Sequence, residues 1–382
     1  MYNYLYTLSP KEALITLNLI PGLGSIRIQS LLNHFGSAEL VLNAPQKMLA
    51  MVPRIGNKLA ASIADWRTCT NVRAELECAS NHGVQVVTIL DDEYPDFLRR
   101  MSDPPMVLYV RGNWLNTDSD RSVAIIGTRQ ATPYGVTTAR RFGRELADAG
   151  CTIISGLARG IDTAAHWGAL DAGGRTIAVL GFGLAGVYPE ENNELVHAIC
   201  AGHGAVVSEF PMYMRPSRTT FPQRNRIVAA WSRAALVVEA PSRSGALHTA
   251  TMAAEEYGNS VFAIPGSINQ NSSSGCHGLI REGAILCSTP QELLSDMQWL
   301  KTPTQMDLFT NPDSTKAQDQ RQPVTGEYDK ELLQAIKAGH DTLDKLCAAL
   351  GKGAHTITPL LMRLQIERLI LPLPGGRFAA AV

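Results

Sequence analysis

The rhythm of apolar and polar positions changes twice along the 382-residue chain. From about residue 9 to 75, apolar residues recur at helical spacing. Two stretches there repeat one plan: IPGLGSIRIQSLLNHFG (20–36) and VPRIGNKLAASIADW (52–66). Each passes from an apolar residue through a tight turn ending in glycine into an amphipathic helix. From residue 84 to 297 the pattern is different, with near-continuous apolar runs alternating with helical stretches. The runs predict strands at 85–89, 106–110, 122–126, 151–155, 176–180, 205–208, 234–239, 260–264 and 284–287. Helices are predicted over 134–150, 160–173 and 245–258, with Gly150, Gly173 and Gly258 at their C-caps. Strands that are apolar on both faces and separated by helices imply a parallel sheet covered on both sides.

Residues 301–326 are polar and aperiodic, and read as a linker. The last segment predicts helices at 329–338, 342–350 and 355–368, and LILPLPGGRFAAAV then predicts a strand, a turn and a strand. The expected organisation is therefore a helix-hairpin-helix or SAM-like helical domain (1–80), then an extended Rossmann-like, doubly wound, mostly parallel α/β domain (81–300). The linker (301–326) and a winged helix (327–382) follow. The third winged-helix element carries two arginines, Arg363 and Arg368, and Glu367 offsets one, which favours protein contact or packing over reading of DNA sequence. In the first helical repeat Gly22 and Gly24 suit a turn that offers amides to a DNA phosphate. The second has Pro53 in place of the first glycine and keeps Gly56. A small protein-interaction domain is an equal reading of both repeats.

Apolar content of 45% fits a soluble protein. No run reaches membrane-spanning length, and no charged leader precedes an apolar segment, so a cytoplasmic location is expected. Seven scattered cysteines without a C-x-x-C imply reduced thiols, and nine histidines form no ligand pattern; neither a metal nor a cofactor is expected. The net charge of −1 does not announce a nucleic-acid partner. Its distribution is more informative. Five arginines (121, 129, 140, 141, 144) lie between Asp120 and Glu145 with no acid among them. Five more (215, 218, 224, 226, 233) lie between Glu209 and Glu239, again without an acid. Residues 59–300 contain no lysine, so the fixed side-chain cations there are guanidinium groups, which fork onto phosphate oxygens.

In a doubly wound sheet, ligands bind beyond the strand C-termini. The loops expected on that edge share a composition. They are Gly127-Thr128-Arg129, then Ser155, Gly156, Arg159 and Gly160, then Gly181 to Gly183. Next come Glu209 with Arg224, Asn225 and Arg226; then Glu239 with Arg243, Ser244, Gly245 and Thr249; and finally Pro265 to Ser267. Small residues at helix starts expose amides to anions. The first loop, AIIGTRQATPYG, lacks the G-x-G-x-x-G of a dinucleotide site and carries an arginine instead. Together the loops predict a phosphate-rich ligand. Asp162 and His166 share a helical face; a cap on a helix over 163–171, made by Asp162 or Thr163, with a core histidine is preferred to a catalytic dyad. Glu209 and Glu239 end strand candidates expected to be adjacent, and are read as anchors for the arginines.

The ordered string VAIIGTR, ISGLARGIDTAAHWGAL, GRTIAVLGFGL, SEFP, FPQRNRIVAAWS, LVVEAPSRSGALHTATMAAEEYG, FAIPGSI and GCHGLIREGA resembles the DNA-processing protein A family, also called Smf. The resemblance implies a non-catalytic protein that binds single-stranded DNA with little sequence preference, forms homodimers and loads the RecA recombinase onto incoming DNA during natural transformation. It assigns phosphate binding to Gly127, Thr128 and Arg129, to Arg224, Asn225 and Arg226, and to Arg175, the basic residue ahead of the T-I-A-V strand. Phe221 and Phe182 are the nearest aromatics to these residues. A rival reading is a nucleotide-processing enzyme, because the sheet type also resembles phosphoribohydrolases. The stretch SRSGALHTATMAAEE lacks their P-G-G-x-G-T-x-x-E signature. In the linker, QMDLF resembles the short peptide that docks on the DNA sliding clamp, with Gln305 fixing register and Leu308-Phe309 as the apolar plug.

Overall fold

The computed structural model describes residues 8–299, 327–366, 369–373 and 377–380. The chain divides into two compact units, Met1–Thr304 and Gln305–Val382. Gln305, Leu308 and Phe309 lie outside the described residues.

The first unit is built on nine strands: β1 (Val84–Thr88), β2 (Val107–Gly112), β3 (Ser122–Ile126), β4 (Thr152–Ser155), β5 (Thr176–Leu180), β6 (Gly204–Ser208), β7 (Ala234–Val237), β8 (Ser260–Ala263) and β9 (Ile285–Leu286). Their order is β1-β2-β6-β5-β4-β3-β7-β8-β9. Pairing is parallel from β6 through to β9, while β2 runs antiparallel to β6 and β1 antiparallel to β2. All nine apolar runs form strands, because a sheet covered on both faces demands apolar side chains at successive positions. The two added at one edge break the parallel rule.

Successive strand residues supply opposite cores. Ala124 and Ile126 of β3 pack with Ile227, Val228 and Trp231 of the helix Thr220–Trp231. Val123 and Ile125 pack instead with Ala139, Phe142 and Leu146 of the helix Pro133–Asp148. The N-terminal helices cover the rest of that second face. Leu14, Leu17 and Ile28 share one core with Val86 of β1, Tyr109 of β2, Leu180 of β5 and Val206 of β6. Segment 9–75 is thus the covering layer for half a sheet face. Polar contacts tie it down: Asn18 Nδ2 donates to the Glu209 carbonyl at 3.2 Å, and the Met212 amide donates to Glu75 at 2.7 Å.

Both predicted hairpins form, with helices Pro10–Leu19 and Ser25–Phe35 in the first and Asn57–Ala64 following the second turn. The second turn corrects the sequence reading. Arg54, with φ of 69°, takes the left-handed position that Gly22, with φ of 81°, takes in the first; Pro53 matches Pro21. The substituted glycine is therefore at Arg54.

Arg226 joins three parts of this unit. Its guanidinium meets Glu209 at 2.7 and 2.9 Å, Asp103 at 2.7 Å and Ser25 Oγ at 3.0 Å. Burial works against its charge, but the two carboxylates outweigh that and hold its pKa above the usual value. For Glu209 burial wins and pushes the carboxyl up, with Arg226 opposing and Asp103 adding repulsion. The asymmetry follows from two acids sharing one base.

The helix Ile161–Asp171 begins two residues before the predicted start, with Gly160 as N-cap and no side-chain cap. Asp162 does not cap it; it accepts from the amides of Gly156 and Ala158 at 3.1 and 3.3 Å and braces the preceding loop. His166 is a core residue, its Nδ1 2.6 Å from Thr176 Oγ1. Burial pulls its pKa down to about 3.

The second unit has helices Glu327–Lys337, Leu343–Leu350 and Ala354–Ile366 and an antiparallel pair, Ile370–Leu373 with Arg377–Ala380. Leu332, Ile336, Leu346, Ile357, Leu361 and Leu364 fill its core.

Two stability measurements follow. Arg226→Met strands a buried carboxylate and is expected to cost ~3–5 kcal/mol in urea unfolding; adding Glu209→Leu restores much of it. A loss below ~1 kcal/mol would contradict the junction role. His166 is neutral in the fold, whereas the unfolded chain takes a proton below about pH 6.5. Its share of stability is whole above that pH and drains as pH falls toward 3, by up to ~1.4 kcal/mol per unit. Between pH 6.5 and 5 the wild type should lose ~2 kcal/mol more than His166→Gln. Equal slopes would refute the buried neutral imidazole.

Candidate functional site

The parallel strands β4, β3 and β7 end on one edge, at the point where the strand order reverses. A cleft of about 580 Å³ opens there. In doubly wound sheets the diverging connections leave a crevice at this switch point. Gly127, Thr128 and Arg129 after β3, Asp162 after β4, and Arg243, Ser244 and Gly245 after β7 line it, together with Arg218, Phe221, Arg224 and Asn225.

The turn after β3 is pinned rather than open. The Thr128 amide donates to the Glu239 carbonyl at 2.7 Å. A Cβ on Gly127 would lie 2.5 Å from Ile161 Cγ1 and 2.7 Å from the Glu239 carbonyl, so only glycine fits. The Thr128 amide is therefore taken, and the turn also presents a side chain. Arg129 is exposed, forms no ion pair among the described residues, and holds its guanidinium 4.5 Å above the Phe221 ring. That stacking fixes a cation at the cleft mouth without neutralising it. Arg218 and Arg243 also line the cleft, are exposed, and have no carboxylate partner among the described residues. Arg243 belongs to a loop read as phosphate-binding, whereas Arg218 stood out only as one arginine of an acid-free window. The signal for them was position: both lie in loops, whereas Arg224 and Arg226 sit within a helix packed on the sheet.

Arg224 lines the cleft but is buried. It donates to the carbonyls of Gly156 and Val179 and, at 3.1 Å, to Asn225 Oδ1. Burial pulls its pKa down to about 10 against the pull of Asp162. It stays charged at neutral pH and contributes potential rather than a free fork. For Asp162 burial pushes the carboxyl above its usual range, opposed by Arg224. Ser244 Oγ accepts from the Ala246 amide at 3.3 Å and caps the helix Gly245–Glu255, whose first turn faces the cleft.

Other predicted residues lie elsewhere or are committed. A smaller hollow of about 240 Å³ adjoins Arg129 and Phe221 and adds Gly156, Arg159 and Tyr188. Arg159 is exposed but paired with Glu191 at 2.6 and 2.9 Å. Ser155 Oγ donates to the Ile125 carbonyl at 2.6 Å, inside the sheet. Gly160 lies under the Thr128 and Arg129 backbone, and Gly181 against the Phe221 ring. Arg226 is consumed by Glu209 and Asp103. Arg175 immediately precedes β5, at the opposite edge of the sheet, and forks onto buried Asp118 at 2.5 and 2.7 Å. Glu209 and Glu239 follow β6 and β7, which are not neighbours. Glu209 does anchor an arginine. Glu239 instead accepts from the Thr132 amide and hydroxyl at 2.9 and 2.6 Å, holding the start of the 133–148 helix.

The arrangement is a cleft walled largely by backbone and small side chains, with three guanidinium groups at its mouth that form no ion pair among the described residues and a buried fourth beneath. The carboxylates of Asp162, which lines it, and of Glu239 brace backbone. No cluster of three or more His, Cys, Asp or Glu is arranged for a metal among the described residues.

The same residues place the chain among known proteins. The family described as DNA recombination-mediator protein A matches residues 85–298. Protein Smf of Synechocystis sp. is 33% identical, over 94% of this chain and 96% of its own. DNA processing protein DprA of Streptococcus pneumoniae is 43% identical, over 56% of this chain and 74% of its own. The solved structure of that pneumococcal protein aligns with a TM-score of 0.64, covering 76% of this chain and 98% of the other at 34% identity. DNA processing protein A from Helicobacter pylori, in a structure concerning its single-stranded DNA binding mode, aligns at 0.50, with 31% identity, 56% of this chain and 96% of the other. On sequence and fold together, the chain belongs to the DNA recombination-mediator protein A family.

Proposed function

We propose that this chain is a non-catalytic binder of single-stranded DNA, with the cleft beyond β4, β3 and β7 as its phosphate track. The observation that carries the reading is the set of Arg129, Arg218 and Arg243: exposed, without carboxylate partners among the described residues, and grouped on one cleft. Guanidinium groups spaced along a groove hold successive phosphates without reading bases. Phe221, half-buried under Arg129, and Tyr188, with ring centroids 6.4 Å apart, supply aromatic faces for unpaired bases. The Helicobacter relative's binding mode for single-stranded DNA supports the same ligand class.

The wider role follows from family membership: protection of incoming single strands and loading of the RecA recombinase during natural transformation, in the cytoplasm. A homodimer fits the sheet edge, where β9 exposes Ile285 and Leu286. The C-terminal unit, three helices and a two-stranded ribbon, is read as a winged helix serving protein contact. The 305–309 peptide is read as a sliding-clamp ligand; calorimetry of a 300–312 peptide against the clamp should show binding, and none at high concentration would remove that partner.

Titration with oligothymidylate and with duplex DNA at two salt concentrations tests the central reading. Single strands should bind more tightly, with affinity falling steeply as salt rises. Arg129→Ala, Arg218→Ala and Arg243→Ala should each cost about tenfold and reduce the salt slope by about 0.7. Arg175→Ala should leave affinity unchanged. Wild-type affinity in Arg129→Ala would overturn the assignment of this cleft.

A further inference from the structure

A second cavity, of about 250 Å³, lies at the opposite edge of the sheet. Ser119 leads into β3 and Arg233 into β7, and both line it, so it opens at the strand N-termini. Its wall is aromatic. Phe97 and Trp114 pack on the Trp231 ring at centroid distances of 5.1 and 6.1 Å. Trp231 is 2% exposed, and Trp114 is half-buried. Exposed Leu115 extends the apolar surface outward. On the rim stand Arg100 and Arg233, both exposed and without an ion pair among the described residues. Arg233 gives its Nε–H to the Ser119 carbonyl at 3.2 Å. Asp92 and Asp96 share the rim, Asp96 with Arg99 at 3.7 Å.

We infer that this cavity docks a peptide segment of a partner protein, which inserts one large apolar side chain and sets flanking carboxylates on Arg100 and Arg233. The volume suits a single aromatic or leucine side chain. A buried apolar anchor in an aromatic pocket, with arginine beside it, is the usual energetic centre of a protein interface. The rim charges choose between ligand classes. Two arginines and two aspartates line the cavity, so a nucleic-acid strand, with a charge at every phosphate, meets repulsion as well as attraction. A short peptide places its two carboxylates beside the apolar anchor, on the arginines, and need carry no charge elsewhere. The site is separate from the cleft, so a partner can be held while the cleft is occupied.

The test uses the full chain and defined probes. Its five tryptophans give five indole signals in a ¹H–¹⁵N spectrum, and Trp114→Phe assigns one of them. Acetyl-Gly-Asp-Phe-Asp-Gly-amide should shift the Trp114 signal saturably. The same peptide with alanine for phenylalanine should not. The double variant Arg100→Glu, Arg233→Glu, its other signals unchanged, should bind at least tenfold more weakly. Arg129→Ala should bind the peptide as the wild type does, so failure of the cleft assignment leaves this result standing. Absence of a saturable shift at millimolar peptide would overturn the proposal. So would unchanged binding by the double variant, or shifts produced by oligothymidylate but not by the peptide.

Discussion

Burial of the Arg224 guanidinium is the constraint on which the cleft depends. A charge taken out of water must find polar partners. This one finds the carbonyls of Gly156 and Val179 and the field of Asp162. Those partners lie on the loop after β4 and near the end of β5, so satisfying one cation ties both strand ends to the helix that carries it. Asp162 in turn holds the amides of Gly156 and Ala158. A Cβ on Gly156 would collide with the same guanidinium, which ties that loop residue to glycine. With the floor set in this way, the mouth is left to side chains that have no structural duty.

That division of labour explains why arginines of one composition do different work. Arg226 and Arg175 are met by acids far away in sequence, Asp103 and Asp118. Each joins elements, and its charge is met by a carboxylate. Arg129, Arg218 and Arg243 form no ion pair among the described residues. The ring of Phe221 under Arg129 adds order without adding negative charge.

The strands were legible because a sheet covered on both faces leaves an unbroken apolar run in the chain, and each of the nine runs became a strand. The acid-free windows located the cationic segments. What they could not convey was pairing: Arg226 and Asp103 are 123 residues apart, and only the packed sheet brings them together. The same limit hid the true neighbours of β6 and β7 and the partner of Arg175, Asp118, 57 residues away. In the N-terminal helices the turn pattern was visible, but the register of its glycine was read one position early, at Pro53 instead of Arg54. Their role as a cover for half the sheet emerges only from Tyr109, Leu180 and Val206 sharing a core with Leu14 and Ile28.

A crystal structure of the full chain with a short oligothymidylate tests the central claim most directly. The account predicts successive phosphates on the guanidinium groups of Arg129, Arg218 and Arg243, with a base near Phe221, while Arg224 keeps its contacts to Gly156 and Val179. A strand bound along the edge that carries Arg175, with the three cleft arginines facing solvent, would contradict it.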